Sequence, residues 1–174
     1  MDRAISDFNT TIKLDPQFGY AYNERGVIYE HKGEISKAIN DYDNALKYNP
    51  KDVFAYVNRG NAYKKNGELD RAIKDYNEAI MNDSKEVAAY FNRGVCYMQM
   101  KSYTNALNDF NVAITINPKF ANGYLYYMRG NTYGILGDFD KAIVDHKKAL
   151  EINPNFEEAR RSLQADYENM KMRG

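Results

Sequence analysis

The chain has 174 residues, of which 44% are hydrophobic and 28% are charged, a balance typical of globular proteins with a continuous core. Lysine plus arginine equals aspartate plus glutamate at 24 each, and this zero net charge lacks the basic excess of nucleic-acid-binding proteins. The sequence contains neither an apolar run of about 18 residues, which a membrane span needs, nor an apolar signal segment, so we expect no nucleic-acid or membrane partner.

The first predicted element is a helix over Asp2–Leu14, which Asp15-Pro16 ends because a residue before proline disfavours the helical region. One face of this helix is apolar and carries Ala4, Phe8 and Ile12. Its sequence DRAISDF matches DRAIKDY of residues 70–76, the second helix of a later helix pair. Residues 1–18 are therefore predicted to be half of a repeat, in a chain that begins inside a longer array. The alternative is a natural start with a lone capping helix.

Four predicted pairs of short helices follow, over residues 19–52, 53–86, 87–120 and 123–156. Each first helix contains one glycine in the same place, and these glycines are Gly26, Gly60, Gly94 and Gly130. Their spacing is 34 residues (60−26 and 94−60) and then 36 (130−94). A fixed period of this size indicates stacked repeats, because one helix pair cannot bury its own apolar face. The surplus residues Ala121 and Asn122 are expected to lengthen the preceding loop or to start the fourth repeat's first helix early.

Side chains around each glycine also recur, with tyrosine four residues before it, arginine one before, tyrosine three after and alanine twelve after. These residues are Tyr22, Tyr56, Tyr90 and Tyr126; Arg25, Arg59, Arg93 and Arg129; Tyr29, Tyr63, Tyr97 and Tyr133; Ala38, Ala72, Ala106 and Ala142. In period and signature the sequence resembles the tetratricopeptide repeat (TPR), over about four and a half repeats. The resemblance implies an all-α fold, a right-handed superhelical solenoid of antiparallel helix pairs. It also implies a single domain over residues 1–174, closed by a solvating helix over residues 157–174.

Helix ends and core positions follow the same register. Gly33, Gly67 and Gly137 stand where first helices end, and glycine tolerates the left-handed conformation of such turns. Lys101 takes this place in the third repeat, which predicts a mildly strained or differently shaped turn. The recurring arginines should be half-buried, and an unpaired buried charge is costly. We therefore expect a ladder of pairs with the aspartates that recur in the second helices, Asp41, Asp75, Asp109 and Asp145.

The resemblance further implies a concave groove lined by the inner face of the first helices. An asparagine side chain both donates and accepts, so a track of asparagines could pair with the peptide groups of an extended ligand. Aromatic side chains beside the track could act as apolar anchors. The candidate groove residues are Tyr20, Asn23, Phe54, Asn58, Asn61, Lys64, Lys65, Phe91, Asn92, Tyr124, Tyr127 and Asn131. The alternative is that asparagine is merely abundant in this chain and that the aromatic residues are half-packed.

TPR co-chaperones hold the acidic tails of heat-shock chaperones with a carboxylate clamp of lysine, asparagine and arginine side chains. Over repeats 2 to 4 the clamp positions read Val57, Asn61, Asn92, Tyr124 and Met128. Over repeats 1 to 3 they read Asn23, Val27, Asn58, Ala88 and Asn92. Neither register supplies the cations that would neutralise a carboxylate, so these tails are not expected as partners.

Catalytic chemistry finds little support in the sequence. His146 takes the place of Tyr42, Tyr76 and Phe110, which indicates a satisfied core residue, and His31 is expected at the surface. The single cysteine, Cys96, occupies a packed position; it excludes an internal disulfide and suits a reducing compartment such as the cytoplasm. Phosphate-binding glycine motifs and metal-ligand spacing are absent from the sequence, so we expect no cofactor, no metal and no enzyme.

The sequence thus predicts a non-catalytic scaffold that binds an extended peptide or a partner helix in its groove. A second hypothesis is a self-association module, in which the unpaired first helix stacks end to end or a terminal helix fills another copy's groove. A third hypothesis is a targeting domain of a larger enzyme.

Overall fold

The computed structural model describes residues 1–173, and all regular structure in that range is helical. The helices are α1 (Asp2–Leu14), α2 (Gly19–His31), α3 (Ile35–Tyr48), α4 (Val53–Lys65), α5 (Leu69–Asn82), α6 (Val87–Gln99), α7 (Tyr103–Ile116), α8 (Tyr124–Ile135), α9 (Phe139–Ile152) and α10 (Glu157–Arg173). Successive helices pack as antiparallel pairs, which confirms the predicted fold class. Within the described range, no helix combines the length and apolar character needed to cross a membrane.

The chain separates into two compact units, residues 1–89 and residues 90 onwards, which we call the N-terminal and C-terminal units and describe individually. In the N-terminal unit, α2 pairs with α3 and α4 pairs with α5, while α1 packs on α2. The C-terminal unit holds α7, the pair α8 and α9, and α10 packed on α9. Small core side chains such as Ala38 and Ala142 are fully buried and let the paired helices approach closely.

The glycine inside each first helix makes room for a ring of the second helix. A Cβ atom on Gly60 would lie 2.7 Å from Cε1 of Tyr76, and Gly26 and Gly94 meet Tyr42 and Phe110 at the same distance. Glycine in a helix interior costs roughly 1 kcal/mol relative to alanine, and the buried ring packed on its Cα offsets this cost. Any larger residue at these positions would push the two helices apart.

The predicted ladder of arginine–aspartate pairs is confirmed in all four repeats. Nε and Nη2 of each arginine donate to the two carboxylate oxygens of one aspartate, at 2.6 to 2.8 Å. The pairs are Arg25–Asp41, Arg59–Asp75, Arg93–Asp109 and Arg129–Asp145. The aspartates are buried, and their hydrogen bonds raise the pKa of Arg25 and Arg93 although burial acts in the other direction. Bidentate geometry of this kind fixes the rotation of one helix against the other.

The ladder reaches further than the sequence predicted, because the remaining arginine nitrogen contacts the preceding repeat. Nη1 of Arg59 donates to Asp43 at 2.6 Å, and Nη1 of Arg25 donates to Asn9 at the same distance. In the C-terminal unit Nη1 of Arg129 donates to Asn111, again at 2.6 Å. One guanidinium therefore ties together the two helices of its own repeat and the second helix of the repeat before it.

Turns between paired helices follow the predicted glycine rule. Gly33, Gly67 and Gly137 have φ values of 77°, 80° and 78°, in the left-handed region. Lys101 adopts φ 59° at the equivalent turn, which confirms the strained conformation predicted there. Its turn keeps the hydrogen bonds of the others, with Ser102 N donating to Tyr97 O as Glu68 N donates to Tyr63 O.

The surplus residues before the fourth repeat lengthen the loop and do not start the helix early. Ala121 and Asn122 have φ values of 54° and 50°, inside a 3-10 turn over Phe120–Gly123, and α8 begins only at Tyr124. Left-handed backbone at a non-glycine residue is unfavourable, so the insertion makes this connection strained.

Candidate functional site

Two side-chain bonds join the inner faces of α2 and α4 in the N-terminal unit. Asn58 Nδ2 donates to Asn23 Oδ1 at 3.0 Å, and Lys65 forms an ion pair with Glu30. Asn23 is buried and also donates its amide to Glu24, so its hydrogen-bonding capacity is used within the chain. Of these two predicted groove asparagines, only Asn58 keeps a carbonyl oxygen available for a ligand.

Hydroxyl groups from the core fix the orientation of inner-face side chains. Tyr76 is fully buried, and its hydroxyl donates to Asn61 Oδ1 at 2.8 Å. This bond leaves the amide nitrogen of Asn61 as the donor that faces away from the core. Tyr42 donates in the same way to Glu30 at 3.0 Å, and burial, followed by the charge of Glu30, raises the pKa of the Tyr42 hydroxyl. The Tyr42 hydroxyl therefore stays protonated and donates at physiological pH.

Aromatic side chains at the first turns of α2 and α4 are open to solvent. Tyr20 is 58% exposed and Phe54 is 68% exposed. Phe18, which the sequence analysis did not include, lies 5.9 Å from the Tyr20 ring and is 43% exposed. Large apolar side chains that solvent reaches at neighbouring helix turns are typical of a binding surface.

In the C-terminal unit, Asn131 lies over a buried histidine–aspartate pair. His146 Nε2 is 3.1 Å from Asn131 Oδ1, and His146 Nδ1 is 2.7 Å from Asp166 Oδ2. His146 is 1% exposed, which confirms the prediction of a satisfied core residue. Burial raises the pKa of the Asp166 carboxyl, although the hydrogen bond from His146 opposes this effect.

The other aromatic candidates pack against the C-terminal unit's own rings. Phe91 lies 5.7 Å from Phe120, and Tyr127 lies 4.9 Å from Phe156. Tyr124 contacts both Phe91 and Tyr127 but keeps 42% of its surface exposed. Phe91 and Tyr127 are therefore half-packed, the alternative left open by the sequence, whereas Tyr124 remains accessible.

Beside Asn131, the C-terminal unit has a shallow groove of about 400 Å³, bounded by α8 and α10. Met98, Gly134, Ile135 and Asp166 also line it.

Two further candidates, Asn92 and Lys64, are half-buried on α6 and α4, and Lys65 is exposed. In the described part of the chain, no group of three or more histidine, cysteine, aspartate or glutamate side chains could hold a metal ion.

The sequence reasoning missed Asp166 as the partner of His146. A signal for Asp166 existed, because it stands 34 residues after Thr132, at the packed position of Ile28, Ala62 and Cys96. An aspartate in that position requires a buried partner, and His146 is the one second-helix residue at its position that offers a ring nitrogen.

Family models match most of the chain. Residues 87–120 and 123–156 match the tetratricopeptide repeat, and residues 31–67 and 60–101 match the TPR repeat. The chain belongs to the tetratricopeptide repeat family, whose members generally serve as protein-interaction modules and are typically non-catalytic scaffolds. Fold membership alone does not identify a ligand, which depends on the inner-face residues.

The chain is similar to solved structures of two different proteins. The chain is similar to a crystal structure of MamA protein, with 26% identity over 91% of this chain and 85% of that chain and a TM-score of 0.81. It is also similar to the first TPR of Spaghetti (RPAP3) bound to the HSP90 peptide SRMEEVD, with 27% identity over 68% of this chain and 93% of that chain and a TM-score of 0.66. No curated protein sequence matches the chain.

Proposed function

We propose that the chain is a non-catalytic scaffold that binds an extended peptide on the inner face of its first helices. The observation that carries this proposal is the pair of amide groups on α4. Asn58 presents a carbonyl oxygen, because its nitrogen is held by Asn23, and Asn61 presents an amide nitrogen, because its oxygen is held by Tyr76. Residues three apart on a helix lie on one face, so an acceptor and a donor stand side by side.

A peptide group needs one donor and one acceptor, so the two amides can pair with the backbone of a ligand whatever its sequence. Their orientation is fixed before binding, which reduces the entropy lost when the ligand docks. The exposed rings of Tyr20 and Phe54 supply apolar contacts that select side chains. Lys65 adds a positive charge at the far end of α4, next to Glu30.

The ligand proposed here is not an acidic chaperone tail held by a carboxylate clamp. At the clamp positions, the inner face carries Val57 and Met128 in place of basic residues. Although the RPAP3 domain is solved with the peptide SRMEEVD, we expect no saturable binding of that peptide by this chain. Isothermal titration with SRMEEVD checks this, and tight binding that depends on the terminal carboxylate would contradict it.

The function is tested by selecting ligands from a library of extended peptides and measuring their affinity for variants. Asn58→Ala combined with Asn61→Ala should weaken binding at least tenfold, since two peptide hydrogen bonds are lost. Asn40→Ala combined with Asn44→Ala is the matched control, because these exposed or half-exposed asparagines lie on the second helix α3. Equal affinity of the α4 double variant and the wild type would overturn the proposal.

Self-association is a second candidate function, favoured by the exposed Leu14 and Met172 near the two ends of the described chain. Sedimentation equilibrium decides it, and a strict monomer at high concentration counts against it.

A further inference from the structure

Helix α1 carries the residues of a second helix, and no described first helix covers them. Residues 2–12 read DRAISDFNTTI, and residues 70–80 of α5 read DRAIKDYNEAI. One side of α1 is already used, since Asn9 accepts from Arg25 as Asp43 accepts from Arg59. The remaining face of α1 corresponds to the face of α5 that α4 covers.

On α5, four residues hold the covering helix α4. Asp75 binds Arg59 through both oxygens, and the ring of Tyr76 packs on Gly60. Ala72 is fully buried beneath the covering helix. Arg71 donates to the hydroxyl of Tyr63 at 2.6 Å and lies 4.0 Å from the centre of its ring.

On α1 the same four positions keep the same chemistry but are uncovered. Arg3 and Asp7 are exposed, and Ala4 and Phe8 are only partly buried, whereas Asp75, Tyr76 and Ala72 are buried. Among the described residues, none pairs with the Asp7 carboxylate. An apolar stripe flanked by an unpaired acid and base is a poor surface to leave in solvent.

We propose that this face of α1 binds a partner helix that carries arginine and glycine in succession, with tyrosine three residues after the glycine. The arginine would pair with Asp7, the glycine would receive the ring of Phe8, and the tyrosine would lie under Arg3. The chain itself shows this recognition repeatedly, since Arg–Asp pairs and glycine–ring contacts hold α2 on α3, α4 on α5 and α6 on α7. The proposal is independent of the groove and of its ligand.

A second copy of this chain does not supply a fitting helix. The described first helices with the Arg–Gly pair already cover second helices of their own. Helix α10 stands at a first-helix position, but Leu163 and Gln164 replace arginine and glycine there. A glutamine side chain would occupy the space that the Phe8 ring requires, since even a Cβ on Gly60 would lie 2.7 Å from Tyr76.

The experiment uses a synthetic peptide with the sequence of residues 52–67, which contains α4. Fluorescence anisotropy should show saturable binding to the full chain at submillimolar concentration, and amide chemical shifts should move in α1. Peptides with Arg59→Gln or Gly60→Leu should bind at least tenfold more weakly, and so should the wild-type peptide to the Asp7→Asn chain. Asp140→Asn, in the exposed first turn of α9, is the matched control and should bind as the wild type does.

Absence of binding by the peptide, or equal binding of all three peptides, would overturn the proposal. A short free peptide is a poor helix, so a covalent version removes that concern. Residues 52–69 placed directly before Asp2 put the added helix in register with α1. This fusion should melt at a higher temperature than the same fusion with Gln and Leu at the Arg and Gly positions, and equal Tm values would also refute the proposal. A dimer that Asp7→Asn abolishes would assign the face to a second copy instead.

Discussion

Polar side chains join the inner faces of α2 and α4 in the N-terminal unit, whereas the C-terminal unit has ring contacts and a buried histidine–aspartate pair between α9 and α10. The Arg–Asp pairs and the turn geometry are the same in both units. This contrast indicates that packing between neighbouring helices constrains the residues at their contacts, whereas the inner-face residues are free to differ between repeats. Ligand preference should therefore be read from the inner positions of each unit.

The residue after the helix glycine and the residue sixteen positions after that glycine show how inner-face residues vary between repeats. Asparagine follows the glycine at Asn61 and Asn131, where Tyr76 and His146 hold its oxygen. Valine follows the glycine at Val27 and Val95. At Val95 the second helix presents Phe110, which has no polar atom, and at Val27 the Tyr42 hydroxyl donates to Glu30 instead. An asparagine held by the core has a fixed amide direction, so the asparagine and the residue sixteen after the glycine act together as one device.

The largest expected effect tests what the two units share. Arg59→Leu and Arg129→Leu each leave a buried aspartate without its guanidinium, at a cost of about 3 kcal/mol in the free energy of unfolding. Urea denaturation followed by circular dichroism measures it. Arg161→Leu, at an exposed site on α10, should stay within about 0.5 kcal/mol of the wild type. If the two variants lose very different free energies of unfolding, the Arg–Asp pairs of the two units are not equivalent.

The next effect is specific to the C-terminal unit. His146→Phe restores the ring found at Phe110 but leaves the Asp166 carboxylate buried without its partner, at a cost of about 2 kcal/mol. Adding Asp166→Ala should recover most of this loss, because the unpaired acid is then gone. Tyr76→Phe is the matched change in the N-terminal unit and should cost about 1 kcal/mol, the value of one hydrogen bond. A double variant no more stable than His146→Phe would show that the histidine acts through packing alone.

Much of this architecture could be predicted from the sequence, because glycine, arginine and aspartate recur at positions where each has a single physical role. Gly60 and Asp75 have the same surroundings as Gly26 and Asp41, so one repeat predicts the others. The candidate site was less predictable. The pattern placed Asn23 and Asn58 on one face, but whether they bond to a ligand or to each other depends on the distance between two helices. Asp166 was not predicted because α10 lacks the arginine and glycine of the repeat, so these residues could not align its positions with those of the other first helices.

A smaller effect concerns the turns. Lys101→Gly should stabilise the C-terminal unit by about 1 kcal/mol, because glycine adopts φ 59° without the steric cost that a Cβ imposes. Gly67→Lys, in the equivalent turn of the N-terminal unit, should lose about the same amount. Thermal denaturation of the two single variants checks both signs. A destabilised Lys101→Gly chain would mean that the lysine side chain contributes more than its backbone strain costs.

The smallest expected effect on stability falls on a residue of the proposed binding surface. Lys65 is 54% exposed where it pairs with Glu30, and exposed ion pairs contribute about 0 to 1 kcal/mol, so Lys65→Gln should barely change the urea midpoint. Glu30 keeps the hydrogen bond from Tyr42 and stays in place. Affinity for a selected peptide should nevertheless change and lose part of its salt dependence, because a charge on the surface has gone. A variant with unaltered peptide affinity at low and high salt would exclude Lys65 from the binding surface.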